Sequence, residues 1–481
     1  MIKTKVIANI LGKLLVGESF FLIISLVVSL LYGEEDIKAF LYTSIICLSA
    51  GSLSYLYGKS QEKKLGKREG YIIVSLVWVV FSLFGALPYV FSGYIPSFTN
   101  AFFETISGFT TTGSSILNNI EDLPHGLLFW RSLTQWLGGM GIIVLFLAIL
   151  PTLGIGGREL FVAEVPGPSP DKLTPRIKET ARNLWGLYLL FTIAETILLW
   201  IGGMNFFDAL NHSLTTMATG GYSTKQASIG HYSSPYIQYV IIIFMIIAGT
   251  NFTISYAAIT GKAKKIFRDE EFKFYLIIIV GFSIVIALSL YMGGQSLEPA
   301  IRDSLFTVVS IITTTGYATA DYLLWAPILG MMIFVLFFVG GSGGSTGGGV
   351  KVVRILILLK NSYYELKRLV HPKAVIPIRY NSAAVNQKTV TNILAFFILY
   401  IMIFMFSSVV MSFWTDDVYT ALSATATTLG NIGPGFGEVG PMNNFASMPD
   451  AAKWFLSFLM LVGRLEIFTV LVLFTGSFWK H

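Results

Sequence analysis

The chain has 481 residues, of which 54% are hydrophobic and only 12% charged, with a mean hydropathy of +0.69. These values exclude a soluble globular protein and predict that most of the chain lies in lipid. The formal net charge of +6 does not indicate nucleic-acid binding, because the basic residues lie in short loops between apolar runs. Cys47 is the only cysteine, which excludes an intrachain disulfide framework.

The first two apolar runs, at about 14–32 and 39–57, are long enough to cross a hydrocarbon core of roughly 30 Å as helices. The basic start of the first run resembles a signal peptide. It lacks a small-residue cleavage site and a second span follows it, so a retained helix is predicted. Residues 1–70 thus form an N-terminal helix pair with a cytoplasmic loop.

The basic residues predict the orientation of the spans. If the N-terminus is cytoplasmic, all but six of the 33 Lys and Arg residues fall in loops on that side, which is the positive-inside pattern. The six exceptions stand singly: Lys38, Arg131, Lys225, Arg302, Lys453 and Arg464.

From about Tyr71 one pattern occurs four times: a full span, a shorter segment rich in Thr, Ser and Gly, and another full span. The shorter segments are NAFFETISGFTTTG, DALNHSLTTMATGG, DSLFTVVSIITTTG and TALSATATTLGNIG, and they end at Gly113, Gly221, Gly316 and Gly433. They align without a gap, with Ser or Thr six positions before each final glycine. This internal repeat predicts four units, at residues 71–150, 151–260, 261–388 and 389–481.

The short segments cannot cross a bilayer and carry too many hydroxyl groups to face lipid. We therefore expect each to enter the membrane as a half-helix, whose carbonyl end favours a cation, and to turn back. The Thr and Gly residues that follow allow backbone oxygens to replace the hydration shell of an ion. Tight helix packing by small residues is the alternative explanation. Four segments in register favour a filter, although GNIGPG around Gly433 fits less closely than the others.

These four segments resemble those of the Trk/Ktr/HKT superfamily of K⁺ transporters, and the N-terminal pair and the chain length resemble its TrkH/TrkG type. The resemblance implies an all-α polytopic membrane protein, with four M1–pore loop–M2 repeats around a pseudo-fourfold pore and two extra N-terminal transmembrane helices. K⁺ is then the transported ion, and Gly113, where Na⁺-admitting members carry Ser, supports K⁺ preference. The implied filter residues are Thr111, Thr112, Gly113, Gly220, Gly221, Thr314, Thr315, Gly316, Asn431, Ile432 and Gly433.

Two elements are predicted to gate the pore. The glycine-rich run 338–354 lacks the Gly-Lys-Ser/Thr of a phosphate-binding loop, and a cytoplasmic linker is its plain alternative. We expect an intramembrane loop beneath the filter, as the resemblance also implies. Arg464 lies in an apolar run, so it should face a cavity or pair with another helix; we expect it to project into the pore. The gate residues are Gly343, Gly344, Ser345, Thr346, Gly347 and Arg464.

Two other functions remain open at this stage. A symporter coupled to Na⁺ or H⁺ has little support, because only Glu195 and Glu466 lie within spans. An intramembrane enzyme needs paired catalytic residues, which we do not find, so no enzyme and no organic cofactor is expected.

The resemblance also implies the setting: a prokaryotic inner membrane, a homodimer, and a cytosolic nucleotide-binding RCK-domain regulatory subunit of the TrkA type. The basic loops 158–182 and 351–388 are possible docking surfaces, although anionic lipid would attract them too.

Overall fold

The structure is a computed structural model that describes residues 2–59, 66–141, 177–374 and 376–480. Within these ranges six helices are long and apolar enough to cross a membrane, or up to eight if each of two bent helix pairs counts as one span. The chain is thus an all-helical polytopic membrane protein, and the described residues add one small hairpin to the helices. That hairpin, which the sequence did not predict, pairs β1 (Arg379–Tyr380) with β2 (Ala383–Ala384) in antiparallel register.

The helices follow one another in this order: α1 Thr4–Tyr32, α2 Ile37–Tyr57, α3 Lys67–Gly85, α4 Leu87–Ser92, α5 Phe98–Phe109, α6 His125–Gly139, α7 Ile177–Ile201, α8 Phe206–Met217, α9 Pro235–Ala248, α10 Phe252–Ala257, α11 Glu270–Met292, α12 Leu297–Ile312, α13 Pro327–Leu336, α14 Val352–Val370, α15 Gln387–Met411, α16 Val418–Gly430, α17 Asp450–Arg464, α18 Phe468–Leu471 and α19 Gly476–Trp479. Short 3-10 turns join some of them.

The N-terminal pair consists of α1 and α2, which pack along each other. A Cβ atom built on Gly12 or on Gly58 would lie closer than 3.0 Å to backbone of the opposite helix, so glycine permits the close approach. α1 begins ten residues before the predicted start of the apolar run. Val6, Ile7 and Ile10 are buried there, and the lysines within the helix are good helix formers, so the helix extends into the basic start of the chain.

Four short helices, α5, α8, α12 and α16, follow the spans α3, α7, α11 and α15. Three of them begin at a side-chain cap: Ser97 accepts from Asn100 N, Asn205 from Asp208 N, and Asp417 from Thr420 N. Their C-terminal halves are buried on all sides. At 12–16 residues each is too short to cross a bilayer.

Two of the spans that follow the short helices differ from the prediction of full spans, and a third is interrupted at the glycine-rich run, where the sequence predicted a loop. α9 and α10 are bent by 103° at a break, and the helices after Asp450 are bent by 111°. α13 ends at Leu336 and α14 begins only at Val352. Gly463 lies at the break after α17. A Cβ atom there would lie closer than 3.0 Å to the carbonyl of Leu429 in α16, so glycine permits the close packing at this break.

Three predicted features lie outside the described residues. They are most of the basic loop 158–182, the boundary between the first two repeats at residue 150, and part of the cytoplasmic loop predicted within residues 1–70.

Candidate ion filter and gate

Each short helix ends in the same turn. The residue two positions before the final glycine has a left-handed backbone in all four segments, with φ of 53° at Thr111, 53° at Thr219, 57° at Thr314 and 53° at Asn431. The next amide then donates to the carbonyl of the Ser or Thr that the alignment singled out, at 2.9 Å in each segment. This helix-ending turn aims the following residues away from the helix axis.

The four glycines lie together in a closed ring. Each faces the carbonyl oxygen of the residue that precedes the glycine of the next segment, and a Cβ atom on any of them would come closer than 3.0 Å to that oxygen. The contacts run from Gly113 to Gly220 O, from Gly221 to Thr315 O, from Gly316 to Ile432 O and from Gly433 to Thr112 O. Only glycine fits at these positions, which also have φ between 75° and 104°.

This ring can hold a cation chemically. Four carbonyl oxygens converge, and the C-terminal ends of four buried helices add partial negative charge around them. The structure thus brings together, one turn per segment, all eleven residues that the sequence analysis named for the filter. Thr219, the left-handed residue of the second turn, is the one equivalent residue that the prediction left out.

The fourth segment takes the same geometry despite its different sequence. Asn431 stands where the others have Thr, and Asn tolerates the left-handed region well. Its Nδ2 donates to Thr112 Oγ1 at 2.9 Å and to the carbonyl of Met460 at 2.9 Å. Asn431 therefore links the fourth segment to the first and closes the ring.

An open cavity of about 80 Å³, here called the mouth, lies over the ring and is lined by all four glycines. Acidic residues could concentrate cations at such a mouth, and by sequence the candidates are Glu104, Asp208, Asp303, Glu438 and Asp450. None of these lines the cavity in the described part of the chain; its charged lining residues are Arg131 and Lys225.

Glu104 and Arg131 instead form a buried ion pair behind the first segment, with 2.6 Å between Nε and Oε1. Glu104 also accepts from Ile116 N at 2.9 Å, and Arg131 donates to the carbonyl of Ser223 at 2.8 Å. The guanidinium lies 3.6 Å from the ring centre of Tyr222. The pair thus fastens the chain after Gly113 to the chain after Gly221, a role that the sequence analysis missed.

The predicted gate loop lies directly beneath the ring, where it contacts the ends of three short helices. Thr346 Oγ1 donates to the carbonyl of Met217 at 3.1 Å, and Gly348 N donates to Thr314 Oγ1 at 2.7 Å. A Cβ atom on Gly348 would lie closer than 3.0 Å to the carbonyl of Gly430. The loop is also held from the far side, because Glu271 accepts from Gly343 N at 2.6 Å.

Arg464 joins this loop to the first segment. Its Nη1 donates to the Thr346 carbonyl at 2.8 Å, and its Nη2 donates to the carbonyls of Gly138 and Gly139 at 2.6 and 2.8 Å. Glu466 does not hold it, since that carboxylate pairs with Arg354. The cation therefore sits at the C-terminal end of α6, where the helix dipole favours positive charge.

The glycines at the helix breaks were not recognised from the sequence. Gly138 and Gly463 each abut the carbonyl four positions before a ring glycine, at Phe109 and Leu429. An isolated glycine inside an apolar span was the available signal. In the described ranges no group of three or more His, Cys, Asp or Glu residues could hold a metal ion.

Comparisons with known proteins agree with this geometry. The profile of the family described as TrkH, cation transport protein, matches residues 36–481. The Trk system potassium uptake protein TrkH of Escherichia coli K12 is 42% identical over 484 residues, covering 99% of both chains. The Trk system potassium uptake protein TrkG of the same strain is 35% identical over 480 residues and also covers 99% of both chains. The crystal structure of the potassium transporter TrkH from Vibrio parahaemolyticus superposes with a TM-score of 0.89 at 40% identity, covering 99% of both chains.

Proposed function

We propose, on the premise that this chain belongs to the TrkH family of cation transport proteins, that it is the translocation subunit of a K⁺ uptake system. The family is one of transporters and not of enzymes. In this proposal K⁺ passes through a gated pore lined by backbone carbonyls, and the four repeats surround that pore with pseudo-fourfold symmetry. The repeat boundaries proposed are residues 71–150, 151–260, 261–388 and 389–481.

The closed ring of four glycines is the observation that carries this proposal. Each glycine contacts a carbonyl of the next segment, so the carbonyls of Thr112, Gly220, Thr315 and Ile432 surround one axis. Neutral carbonyl dipoles that replace a hydration shell favour a weakly hydrated monovalent ion such as K⁺ over a divalent ion.

The test is K⁺ against Na⁺ uptake by cells that lack other K⁺ uptake systems, comparing the wild-type chain with Gly113→Ser. A serine adds a Cβ atom against the Gly220 carbonyl, so K⁺ discrimination should fall. Equal discrimination in both proteins, at equal expression in the membrane, would refute the filter assignment.

The loop Gly343–Gly347 and Arg464 form the gate in this proposal. The loop lies under the ring and Arg464 places a positive charge beside it, so both obstruct a cation in the conformation described. Glycine allows the loop to rearrange at low steric cost. Movement of the loop and loss of the Arg464 contacts would open the path.

A K⁺ symporter driven by Na⁺ or H⁺ is the second candidate. Glu195 and Glu18 favour it, because both carboxyl groups are fully buried, within the spanning helices α7 and α1. The sequence analysis did not count Glu18, and it counted Glu466, which lies in the break after α17. Flux into vesicles separates the two mechanisms. A channel-like subunit moves K⁺ down its own gradient without a second ion, whereas a symporter requires the driving ion and accumulates K⁺ against a gradient.

The setting is proposed from the family resemblance: a multi-pass protein of a prokaryotic inner membrane, with a cytoplasmic N-terminus, a homodimeric state and a cytosolic RCK-domain regulatory subunit of the TrkA type. Part of the basic stretch 351–388 is already engaged within the chain, since Arg354 pairs with Glu466 and Lys360 with Glu270. Lys351 is buried and Arg368 pairs with Glu365, so the exposed Lys367, Lys373, Arg379 and Lys388 are the residues available to a partner or to anionic lipid. Co-purification of the regulatory subunit with the full chain tests the assembly.

A further inference from the structure

Gln135 spans the second ring glycine with both ends of its side-chain amide. Its Nε2 donates to the carbonyl of Gly220 at 2.7 Å, and its Oε1 accepts from the amide of Tyr222 at 3.0 Å. The side chain is completely buried. The amide orientation is fixed by these partners, because a carbonyl needs the NH₂ group and an N–H needs the oxygen.

The oxygen that Gln135 holds is one of the four in the ring. The Gly220 carbonyl faces Gly113 across the segment boundary, and its second lone pair remains available to an ion. No hydrogen bond to the ring carbonyls of Thr112, Thr315 or Ile432 occurs among the described residues. The ring is therefore chemically asymmetric, with one oxygen polarised and oriented by a side-chain donor.

Gln135 also explains why the second segment reads Thr-Gly-Gly where two others read Thr-Thr-Gly. A Cβ atom on Gly220 would lie closer than 3.0 Å to three atoms of the Gln135 amide. The glutamine thus occupies the space that the Thr112 and Thr315 side chains take in their segments. Without a side chain at Gly220, the backbone there has more conformational freedom than a threonine would leave it.

The equivalent positions in two other repeats carry methionine. Gly138 and Gly463 make equivalent contacts, each with the short helix of its own repeat. Gly139 and Gly249 also make equivalent contacts, each with the residue that ends the short helix of the next repeat, Ala218 or Thr313. Counting back from these pairs aligns Gln135 with Met460 and Met245. In these two repeats a methionine is therefore combined with a threonine in the next filter segment. In the first repeat, glutamine takes the place of the methionine and glycine takes the place of the threonine.

We propose that Gln135 is a positioning residue for ion selectivity, which holds the Gly220 carbonyl toward the axis and lets the second segment match the other three. This inference rests on the proposed K⁺ filter. Loss of the hydrogen bond frees the Gly220–Gly221 peptide to rotate, so the ring loses a fixed oxygen and discriminates less between K⁺ and the smaller Na⁺.

The experiment measures K⁺ and Na⁺ flux in proteoliposomes for Gln135→Met and Gln135→Glu, the second of which keeps the acceptor and removes the donor. We expect the K⁺/Na⁺ flux ratio to fall about threefold or more in both, as the loss of one oriented hydrogen bond implies. Gln238→Met is the matched control, because Gln238 is a buried glutamine that donates to the carbonyl of Tyr232, outside the ring.

The double variant Gln135→Met, Gly220→Thr restores the methionine–threonine arrangement. It should discriminate better than Gly220→Thr alone, in which the new side chain collides with the glutamine. A wild-type flux ratio in folded Gln135→Met and Gln135→Glu would overturn the inference. Gly113→Ser measured in parallel distinguishes the two failures: if it lowers the ratio while the Gln135 variants do not, the filter stands and only this inference fails; if none of the variants changes the ratio, the filter proposal fails as well.

Discussion

Arg464 donates a hydrogen bond from Nη1 to the hydroxyl of Thr111, with 3.1 Å between the two atoms. Thr111 is the left-handed residue of the first filter turn, and Arg464 is the last residue of α17. The same Nη1 contacts the Thr346 carbonyl of the loop beneath. One cation therefore ties the filter base to the proposed gate, so its removal should affect both.

Replacing Arg464 with Ala should raise cation flux several-fold. The change removes a positive charge from beneath the ring and frees the Thr346 carbonyl, which lowers the electrostatic barrier and loosens the loop. Rb⁺ flux into proteoliposomes measures this. Arg464→Lys should be intermediate, because lysine keeps the charge and loses the planar fork. Arg379→Ala, at an exposed arginine of the hairpin, is the control, and unchanged or lower flux in folded Arg464→Ala would contradict the account.

Replacing Gly348 with Ala should also raise flux. The added methyl would lie closer than 3.0 Å to the carbonyl of Gly430, so the loop cannot keep its position under the fourth segment. Gly281→Ala in the spanning helix α11 is the matched control, since no atom lies within 4 Å of a Cβ there. Equal Rb⁺ flux in the two variants would show that the loop does not obstruct the ion path.

Replacing Lys225 with Gln should increase K⁺ uptake at low K⁺ concentration, about twofold or more at low ionic strength. Lys225 lines the mouth over the ring and is only partly neutralised by Asp208, whose Oδ2 lies 3.6 Å from its Nζ. The apparent KM for K⁺ should fall and the difference should shrink in high salt, because salt screens a charge that is partly open to solvent.

The control for this charge effect is Lys38→Gln, which removes an exposed lysine that does not line the mouth. An equal change in KM for both lysine variants, or a change that does not shrink in high salt, would mean that Lys225 does not act through the field at the mouth.

Replacing Glu104 with Gln should destabilise the protein by about 3–5 kcal/mol, because it leaves the Arg131 guanidinium buried without a counter-charge. Glu104 and Arg131 are both almost fully buried. Thermal unfolding in detergent measures the loss. Glu298→Gln breaks a half-exposed pair with Arg302 and should change the midpoint little. Equal midpoints for the two variants would contradict a structural role for the buried pair.

The sequence predicted the parts of this fold that rest on periodic patterns. The ungapped repeat located the four short helices and their final glycines, because a turn that needs a positive φ and a close carbonyl approach admits few residues at Gly113 or Gly316. The apolar runs likewise predicted the spans of α1 and α2.

Features that depend on three-dimensional partners were missed. Arg131 and Gln135 lie four residues apart on one face of α6, but only the fold shows that Glu104 and Gly220 meet them. The breaks after α9 and α17 were also missed, because a single glycine in an apolar run gives the same signal whether it permits packing or ends a helix. The sequence suggested that acidic residues lie at the mouth, whereas Glu104 is buried behind the filter.

The carbonyls of Thr112, Gly220, Thr315 and Ile432 are proposed to bind K⁺ on one axis. Anomalous diffraction from crystals of the full chain grown in Tl⁺, a heavy K⁺ substitute, locates the bound ion. We expect a Tl⁺ peak within coordination distance of all four oxygens, lost on exchange into Na⁺. Ordered Tl⁺ elsewhere in the protein, with none at this ring, would contradict it.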